Sequence, residues 1–405
     1  MKAIILAAGE GLRCRPLTLT RSKVMLPVAN KPILEHAIYS LAENDIKDIV
    51  LIVGYEKERI MDYFEDGVNF GVNITYIEQK AQLGTAHAIK QTRELIEPDG
   101  EEFLVLNGDN IIEPKTISDL LDGRGGDATI MTFKMEHTIG YGVVIAEGKQ
   151  VKKIVEKPRA DISHLVNTGI YLFNHKIFKY IESTQISDSG EYAITDSLQQ
   201  MIEDGLKVTM VPTRSRWLDA IHSWDLLKAN STILDKYDTL TVKGTVEEGA
   251  VIKGNVSIGK NTIIRSGSYI VGPAMIGDNC EIGPDVVILP STTIGNNASI
   301  GPFSQIKNSI IMNDARIEAH SYISNSVIGS NNTIGSHFIT DEKDNLKIEM
   351  IGILHHADRL GVITGDDIVI GHRVLVKPGV LIGAGCNIES GNIISRELPP
   401  NSTVV

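Results

Sequence analysis

The C-terminal part of this chain repeats an aliphatic residue every six positions, and few folds accommodate such a period. The repeat runs without a miss through Leu240, Val246, Ile252, Ile258, Ile264, Ile270, Ile276, Ile282, Ile288, Ile294, Ile300 and Ile306. A period of six matches neither an α-helix nor a flat strand, whose side chains repeat every 3.6 and 2 residues. It matches a triangular coil in which each of three short sides points one aliphatic side chain inward. We therefore predict a left-handed parallel β-helix over residues 240–405.

Two further features of the repeat refine this prediction. The fourth position after the aliphatic residue is often small, as in Ala250, Ala274, Cys280, Ala298 and Ser304, which predicts tight corners at these positions. The register slips by one near residue 311, a polar segment interrupts the repeat from 341 to about 359, and the period resumes at 370. An antiparallel sheet with chance spacing is the alternative, and the unbroken run of the repeat argues against it.

The preceding part of the chain has a different pattern. Apolar runs at 2–8, 48–53, 73–77 and 102–106 alternate with segments at 32–43, 56–64 and 85–96, whose apolar residues stand three or four apart. Strand followed by helix, repeated, predicts a Rossmann-like, mainly parallel α/β sheet covered on both faces. The predicted organisation is a domain at 1–230, a linker helix at 231–239 and the β-helix at 240–405. Ligands of such sheets bind beyond the carboxyl ends of strands, here after Leu6 and Leu106.

Composition limits the partners and the compartment. The net charge of −12 repels a polyanion, so we expect no nucleic-acid partner. The three cysteines are far apart, without a C-x-x-C pair, which fits a reducing compartment better than a disulfide framework or a thiolate zinc site. Charged residues from Glu10 onward interrupt the apolar start too early for a signal peptide, and no stretch approaches the ~20 apolar residues of a membrane helix. We expect a cytoplasmic protein with no membrane partner.

A glycine-rich loop follows the first predicted strand. Gly9 and Gly11 allow backbone N–H groups to approach a phosphate chain. The third glycine of the dinucleotide-binding fingerprint is Cys14 here, and there is no P-loop. A tight connecting turn would also explain the two glycines. Three cations close behind them favour a triphosphate whose leaving pyrophosphate gains charge: Arg13, Arg15 and Lys23.

These residues belong to a longer pattern that resembles the sugar-1-phosphate nucleotidylyltransferases. The family signature L-A-A-G-x-G-x-R-x-x-P-L-T…K-x-x-L-P-V is matched by residues 6–18 and 23–28. Further family markers are present at 79–88, 107–109, 140–142, 156–158, 167–169 and 217–219. The resemblance therefore covers about the first 230 residues.

The reaction that this resemblance implies needs charge neutralisation rather than a base. An oxygen of a sugar-1-phosphate attacks the α-phosphorus of a nucleoside triphosphate and displaces pyrophosphate, and the nucleophile is already an anion. Asp109 ends a buried strand and is a hard ligand suited to Mg²⁺, although such a residue is often only a helix cap. The resemblance pairs it with Asp219 as the metal ligands. It also implies that Arg13, Lys23 and Asp109 are catalytic.

The resemblance assigns the binding residues as well. The predicted nucleotide contacts are Ala8, Gly9, Gly11, Gln79, Gly84 and Thr85. The predicted sugar-phosphate contacts are Gly142, Glu156, Lys157 and Asn167. The substrates implied are UTP or dTTP with N-acetylglucosamine-1-phosphate or glucose-1-phosphate, because the Gln79 amide matches either pyrimidine. After Asp219 the family continues with Gly-Thr-Pro where this chain has residues 220–222, Ala-Ile-His, so the wall beside the sugar is unassigned.

The C-terminal part resembles that of the bifunctional nucleotidylyltransferase/acetyltransferases that make UDP-N-acetylglucosamine. This resemblance implies a homotrimer, acetyl-CoA as a second-site substrate and a histidine general base. At the family's histidine position this chain has Ala319, with His320 one residue later, and one residue along a strand is the opposite face. Acetyl transfer through His320 or a replacement base, and a purely trimerising or regulatory scaffold, both remain open. A non-catalytic sugar-nucleotide-binding protein is the alternative for the whole chain.

Overall fold

The first apolar run of the sequence forms an interior strand of the N-terminal sheet. This is seen in a computed structural model that describes residues 1–96, 101–187, 190–350 and 353–405. The described residues form two units. The first consists of Met1–Glu10 and Ile33–Asp219, and the second of Gly11–Pro32 and Ala220–Val405.

Strands and helices alternate along the chain to residue 234. The strands are β1 Lys2–Ala7, β2 Pro27–Val28, β3 Lys31–Pro32, β4 Asp48–Val53, β5 Asn73–Glu78, β6 Phe103–Asn107, β7 Asn110–Ile112, β8 Ala128–Lys134, β9 Val143–Glu147, β10 Gln150–Val155, β11 Leu165–Phe173, β12 Val208–Thr213 and β13 Trp217–Asp219. The helices are α1 Ile33–Ala42, α2 Lys57–Phe64, α3 Thr85–Lys90, α4 Arg93–Ile96, α5 Pro114–Gly123, α6 Ile177–Ser183, α7 Ile194–Glu203 and α8 Asp225–Leu234. The elements predicted before residue 110 are thus confirmed, with the helix over 85–96 divided into α3 and α4.

The sheet of the first unit has the strand order β5-β4-β1-β6-β11-β8-β12-β10-β9. The four strands from β5 to β6 run parallel, and β1, β4 and β6 are buried over most of their length because helices cover both faces. Strand β11 runs antiparallel to both β6 and β8. The Rossmann-like α/β fold is confirmed, and the reversal of β11 is a feature that a run of buried residues cannot reveal.

The second unit contains the predicted left-handed parallel β-helix. Its strands are β14 Thr241–Val242, β15 Thr245–Val246, β16 Val251–Lys253, β17 Val256–Ile258, β18 Ile263–Ile264, β19 Tyr269–Val271, β20 Ala274–Ile276, β21 Glu281–Ile282, β22 Val287–Ile288, β23 Thr292–Ile294, β24 Ser299–Ile300, β25 Gln305–Lys307, β26 Ile310–Ile311, β27 Arg316–Ile317, β28 Tyr322–Ser324, β29 Val327–Ile328, β30 Thr333–Ile334, β31 Ile339–Thr340, β32 Lys343–Met350, β33 Ile353–Leu360, β34 Val362–Thr364, β35 Val369–Ile370, β36 Leu375–Val376, β37 Val380–Ile382, β38 Asn387–Ile388, β39 Ile393–Ile394 and β40 Thr403–Val404.

Three parallel sheets form the sides of this coil. The first side is β14-β17-β20-β23-β26-β29-β34-β37, the second is β15-β18-β21-β24-β27-β30-β35-β38-β40, and the third is β16-β19-β22-β25-β28-β31-β36-β39. The aliphatic residues of the repeat stack inside, where Ile258, Ile276 and Ile294 are at most 1 % exposed. Ile294 pairs with Ile311, so the coil shortens by one residue where the register of the sequence slips.

The polar interruption of the repeat is an antiparallel hairpin, not a coil. Strands β32 and β33 pair with each other, and the coil resumes on either side of them because β29 pairs directly with β34. The inserted segment therefore leaves the stacking of the β-helix intact.

The corners of the coil differ from the sequence prediction. Ala274, Cys280 and Ala298 are no more than 3 % exposed and point inward, so the small residues fill the interior and do not form the corners. Before Cys280 and Ala298 the corner residue is the preceding asparagine, Asn279 or Asn297, and each adopts a left-handed conformation at φ 58°. Asparagine tolerates this conformation better than most residues with a Cβ.

Helix α8 occupies the segment where a linker helix was predicted at 231–239, but it starts six residues earlier and ends at Leu234. Leu226, Leu227 and Ile233 are buried on one face, and this packing determines its extent.

The domain limits of the sequence analysis remain a prediction, since the second unit also takes in Gly11–Pro32. Among the described residues, no helix has the length and apolar character needed to cross a membrane.

Candidate active site

The two loops expected to carry chemistry leave neighbouring strands of the first unit. Ala8 and Gly9 follow β1, Asp109 follows β6, and the two strands pair in parallel register. The N–H of Gly108 donates to the carbonyl of Leu6 at 2.8 Å. Both loops therefore begin at the same edge of the sheet, as the prediction requires.

The predicted base-reading segment lies next to the loop after β1. Gln82 Nε2 donates to the carbonyl oxygen of Ala8 at 2.8 Å. A Cβ on Gly84 would lie 2.6 Å from the carbonyl oxygen of Tyr192, so the chain passes too closely for any other residue. Thr85 Oγ1 accepts a hydrogen bond from the N–H of Ile194 at 2.9 Å. These contacts fix the backbone from 82 to 85 before any ligand binds.

Gln79 is buried and its amide already has partners. Its Nε2 donates to the carbonyl of Gly84 at 3.3 Å and to Nδ1 of His87 at 2.9 Å. Burial, with the charge of Lys90, lowers the pKa of His87, and a neutral ring is what an accepting Nδ1 requires. His87 therefore orients Gln79, which leaves the Gln79 carbonyl oxygen for a base.

The predicted sugar-phosphate residues converge around Gly142. A Cβ placed on Gly142 would lie 2.8 Å from a carboxylate oxygen of Glu156 and 3.6 Å from Cβ of Asn167. Asn167 Nδ2 donates to the hydroxyl of Tyr171 at 2.7 Å, and burial raises the pKa of that hydroxyl. Lys157 Nζ lies 3.7 Å from Glu156 Oε1, so a cation borders this cluster.

The two predicted metal ligands are carried by paired strands. Asp219 stands opposite Asn110 in the antiparallel β7–β13 pair, so its backbone is one residue from that of Asp109. Asn110 is buried and its Nδ2 donates to the carbonyl of Thr168 at 2.8 Å, which fastens this pair beside Asn167. The predicted metal ligands and sugar contacts of the first unit therefore lie in one region.

This donor set suits Mg²⁺. Among the described residues no group of three or more His, Cys, Asp or Glu side chains is arranged to hold a metal ion. Mg²⁺ is commonly bound by one or two carboxylates, with water and substrate phosphates completing its shell. Two aspartates at adjacent backbone positions meet that requirement, whereas a structural zinc site would need more protein ligands.

The predicted cations after Gly11 belong to the second unit. Gly11 has φ +65°, and a Cβ there would lie 2.7 Å from Cβ of Lys23. Thr18 Oγ1 donates to the carbonyl of Gly11 at 2.9 Å. The segment thus folds back on itself and brings Lys23 against Gly11, while Arg13 is exposed.

His320 occupies an exposed corner of the β-helix. Its φ is +58°, so it lies at a turn rather than on a strand, and the argument about opposite strand faces does not apply to it. The imidazole ring stacks between Phe303, with ring centroids 5.0 Å apart, and His337, at 4.9 Å. The structure thus places His320 in an aromatic column along one edge of the coil.

Comparison with known proteins decides the family. Residues 2–236 match the family model described as nucleotidyl transferase, and residues 270–354 match the one described as GMPPB C-terminal domain. The chain belongs to the nucleotidyl transferase family. Over its whole length it is 37 % identical to the bifunctional protein GlmU of Methanocaldococcus jannaschii, covering 97 % of that protein. It is 41 % identical to the GlmU of Methanococcus maripaludis, with the same coverage.

Members of the family with other names match a part of the chain. A glucose-1-phosphate thymidylyltransferase of Streptomyces antibioticus is 35 % identical over 64 % of this chain and 73 % of its own. The structure of a putative glucose-1-phosphate thymidylyltransferase of Bacillus anthracis superposes with a TM-score of 0.52, at 31 % identity, over 57 % of this chain and 94 % of that one. This member of the family is therefore an enzyme, a nucleotidyltransferase that acts on sugar-1-phosphates.

Sequence reasoning missed two contacts within the second unit that involve residues close in sequence to the predicted site. Arg21 lies among the predicted cations, yet its guanidinium contacts Asp366 in the second unit. His222 Nε2 lies 3.0 Å from Nδ1 of His355, which connects the segment after Asp219 to the hairpin. Only the departure from the family pattern at residues 220–222 drew attention to this region, and nothing local in the sequence indicated its partner.

Proposed function

We propose that this enzyme forms a UDP- or dTDP-sugar and pyrophosphate from UTP or dTTP and a hexose-1-phosphate, with Mg²⁺ as its cofactor. N-acetylglucosamine-1-phosphate and glucose-1-phosphate are the proposed acceptors. The observation that supports this most directly is the pairing of β13 with β7, which brings Asp219 beside Asp109 at the strand end where Asn167 also lies. A binding protein without catalysis would not need two carboxylates beside a sugar-phosphate cluster.

The residues of the chain carry the reaction by position and charge. Glu156 and Asn167 orient the sugar, and Lys157 neutralises its phosphate, whose oxygen attacks the α-phosphorus. The backbone at Ala8 and Gly9, with Gln79, Gly84 and Thr85, holds the nucleotide. Gly11, Arg13 and Lys23 receive the leaving pyrophosphate. Since the attacking oxygen is already ionised, no residue has to remove a proton from it.

Asp109 and Asp219 are the residues that would hold Mg²⁺. Bound there, the ion would neutralise charge on the phosphate oxygens around the reacting phosphorus.

Pyrophosphate release tests this proposal and identifies the substrates. UTP, dTTP and the other triphosphates are combined with a panel of sugar-1-phosphates, with Mg²⁺ and with excess chelator. Asp109→Asn and Asp219→Asn should each lower kcat on the order of a hundredfold or more, the size of effect seen when one charge-stabilising group is lost. Asp119→Asn on α5 is the matched control. Chelator-resistant turnover, or normal turnover of the Asp109 variant, would refute the metal assignment.

A second activity is proposed for the β-helix, on a narrower observation. His320 is exposed although its ring stacks between Phe303 and His337, so the edge of the imidazole, which carries its nitrogens, is the part that an acceptor amine would approach. We propose acetyl transfer from acetyl-CoA to glucosamine-1-phosphate, with His320 as general base. The relatives matched over the whole chain are named bifunctional, which supports looking for a second reaction.

The release of free CoA is a direct measure of this second activity. The full chain is incubated with acetyl-CoA and glucosamine-1-phosphate, and CoA is followed with a thiol reagent. His320→Asn should abolish the release, while His137→Gln, at an exposed histidine of the first unit, should not. No CoA above background would leave the β-helix as a trimerising or regulatory scaffold.

The third side of the β-helix is the proposed surface of a homotrimer. Its outward residues follow one another in register, and most are apolar: Val251, Tyr269, Val287, Gln305, Tyr322, Ile339, Leu375 and Ile393. Ile393 is 66 % exposed and Ile339 41 %. A continuous apolar stripe of this kind marks a protein contact surface.

A further inference from the structure

The segment that carries the pyrophosphate-binding cations is fastened to the β-helix at several points. Gly11–Pro32 belongs to the same unit as the coil; its residues 20, 21 and 30 bond to the coil, and Ala29 bonds to Asn230 of helix α8. Lys23 lies between residues 21 and 29 of this segment. The part of the signature that follows residue 10 therefore belongs to the same structural unit as the repeat domain, although more than 200 residues separate the two in the sequence.

The first fastening is a buried ion pair. The guanidinium of Arg21 contacts the carboxylate of Asp366, and the two side chains are 11 % and 6 % exposed. Thr20 donates its hydroxyl to the same carboxylate oxygen, and the N–H of Ser330 donates to the other oxygen at 2.7 Å. Arg21 Nη2 also donates to Ser330 Oγ at 3.1 Å. Asp366 therefore links the segment to a corner of the coil through an ion pair and hydrogen bonds.

The second fastening is made by asparagines. Asn30 Nδ2 donates to the carbonyl of Ile294 at 2.7 Å, and the N–H of Ala29 donates to Oδ1 of Asn230 at 2.8 Å. Asn230 is fully buried and donates from Nδ2 to the carbonyl of Ser291 at 3.1 Å. Contacts with the β-helix and with α8 therefore hold the chain on both sides of Lys23.

We propose that Asp366 is a positioning residue for nucleotidyl transfer. Through Arg21 and Thr20 it holds the segment in the conformation that presents Arg13 and Lys23 to the triphosphate. A displacement of about 1 Å in such groups can cost on the order of a hundredfold in rate. The pairing also explains why Arg21 stands among the cations without serving a phosphate, because its charge is already neutralised by Asp366. This inference rests on the proposed role of Arg13 and Lys23.

The test compares two neighbouring aspartates of the full-length enzyme. Asp366→Asn removes the charge that holds Arg21, whereas Asp367→Asn changes an exposed aspartate that accepts a hydrogen bond from Asn331 and is the matched control. Both are assayed well below their melting temperatures. For Asp366→Asn we expect at least a tenfold rise in KM for the triphosphate and in the inhibition constant of pyrophosphate. KM for the sugar phosphate should stay within twofold of wild type, and Asp367→Asn should match wild type in all three.

A merely structural role predicts a different result. It would lower the melting temperature and the active fraction of Asp366→Asn, without raising either KM for the triphosphate or the inhibition constant, and that outcome overturns the proposal. If this variant does not fold, Asp366→Glu keeps the charge and displaces the carboxylate by about one bond length, and the same two constants decide. Arg21→Lys should recover most of the affinity lost in Arg21→Met, because it keeps the ion pair.

Failure of the proposed function is distinguishable from failure of this inference. If the wild type releases no pyrophosphate with any substrate pair, the proposed reaction is wrong. Calorimetric binding of inorganic pyrophosphate to wild type, Asp366→Asn and Asp367→Asn then decides the positioning role without turnover. Equal affinities for the three proteins would contradict it, and a loss confined to Asp366→Asn would support it.

Discussion

At the scale of single residues, Gly9 and Gly11 lie in the same loop, but a different physical constraint favours glycine at each position. Gly11 has a left-handed backbone and would bring a Cβ to 2.7 Å from Lys23 Cβ. A Cβ on Gly9 would meet nothing within 4 Å, so the free protein does not require a glycine there. The remaining reason for Gly9 is the space that a phosphate needs against the backbone.

Alanine substitutions separate the two roles. Gly11→Ala should cost about 1–2 kcal/mol of stability, because the left-handed conformation is strained for a residue with a Cβ and Lys23 must move. Gly9→Ala should leave the melting temperature unchanged and raise KM for the triphosphate. Thermal melts and pyrophosphate-release kinetics of both variants provide the measurement. A Gly9 variant with normal kinetics would remove that residue from the nucleotide site.

His355 gives the second unit a pH-dependent contact. Burial, the neighbouring His222 and the charge of Arg13 lower the pKa of His355, while Asp225 acts in the opposite direction. Its ring shares a hydrogen bond with His222, which requires one of the two nitrogens to be unprotonated. Protonation of both rings would therefore break this contact.

The sign of the pH effect follows from the lowered pKa. Below about pH 6.5 an unfolded histidine binds a proton more readily than folded His355, so stability is full above that pH and decreases as the pH falls toward the folded pKa. His355→Gln should therefore show a weaker decrease of melting temperature between pH 7.5 and 5 than the wild type. His356→Gln, at the exposed neighbour, should keep the wild-type slope. Identical slopes for the wild type and the His355 variant would show that the His222–His355 contact does not make stability depend on pH.

At the scale of elements, the corners of the β-helix are held by a ladder of amide side chains. Asn279 Nδ2 donates to Asn297 Oδ1 at 3.2 Å, and Asn297 Nδ2 donates to Asp314 Oδ1 at 3.0 Å. These residues stand at equivalent corners of successive coils, all with positive φ. The side chain therefore serves twice, because it tolerates the turn and bonds to the next coil.

Two substitutions at Asn297 separate these contributions. Asn297→Gly keeps the turn unstrained and loses the ladder bonds, whereas Asn297→Ala loses both. We expect a loss of about 1–2 kcal/mol for the alanine variant and a smaller one for glycine, since the ladder is exposed and its bonds are each weak. Denaturant unfolding of the full chain ranks the three proteins. An alanine variant as stable as the glycine variant would show that corner strain is unimportant there.

The parts of the fold that sequence predicts are those specified by local periodicity. Ile276 and Ile294 are recognisable as interior residues from spacing alone, because each coil must bury the same position. The reversal of β11 and the Arg21–Asp366 pair are not recognisable. Each depends on a contact between distant positions that leaves no repeat in the sequence. The proposed catalytic residues come from the family pattern, whereas Asp366, which we propose as a positioning residue, lies outside that pattern.

At the scale of the whole molecule, the three sides of the β-helix differ in a way that predicts which one meets a second copy. Outward residues of the first side, Ile310, Val327 and Ile363, are buried within the unit itself. The second side presents mainly polar residues, among them Glu281, Ser299 and Arg316. The third side carries a continuous run of mostly apolar outward residues that are exposed or half-buried, whereas the exposed Val369 of the second side stands between the polar residues Thr333 and Asn387. The eight strands of the third side make a stripe roughly 34 Å long at the usual strand spacing.

A charge placed on this stripe should dissociate the trimer. In Ile339→Glu the new carboxylate would lose its hydration in a contact between copies, so we expect monomers at concentrations where the wild type is trimeric. Ser299→Glu, on the second side, is the matched control and should remain trimeric. Sedimentation equilibrium of the three proteins measures the mass, and pyrophosphate release by the Ile339 variant shows whether nucleotidyl transfer needs assembly. Because Asp366 holds the signature segment within a single chain, the monomer should retain that activity. A wild type that sediments as a monomer, or an Ile339→Glu variant that stays trimeric, would contradict the assignment of this side.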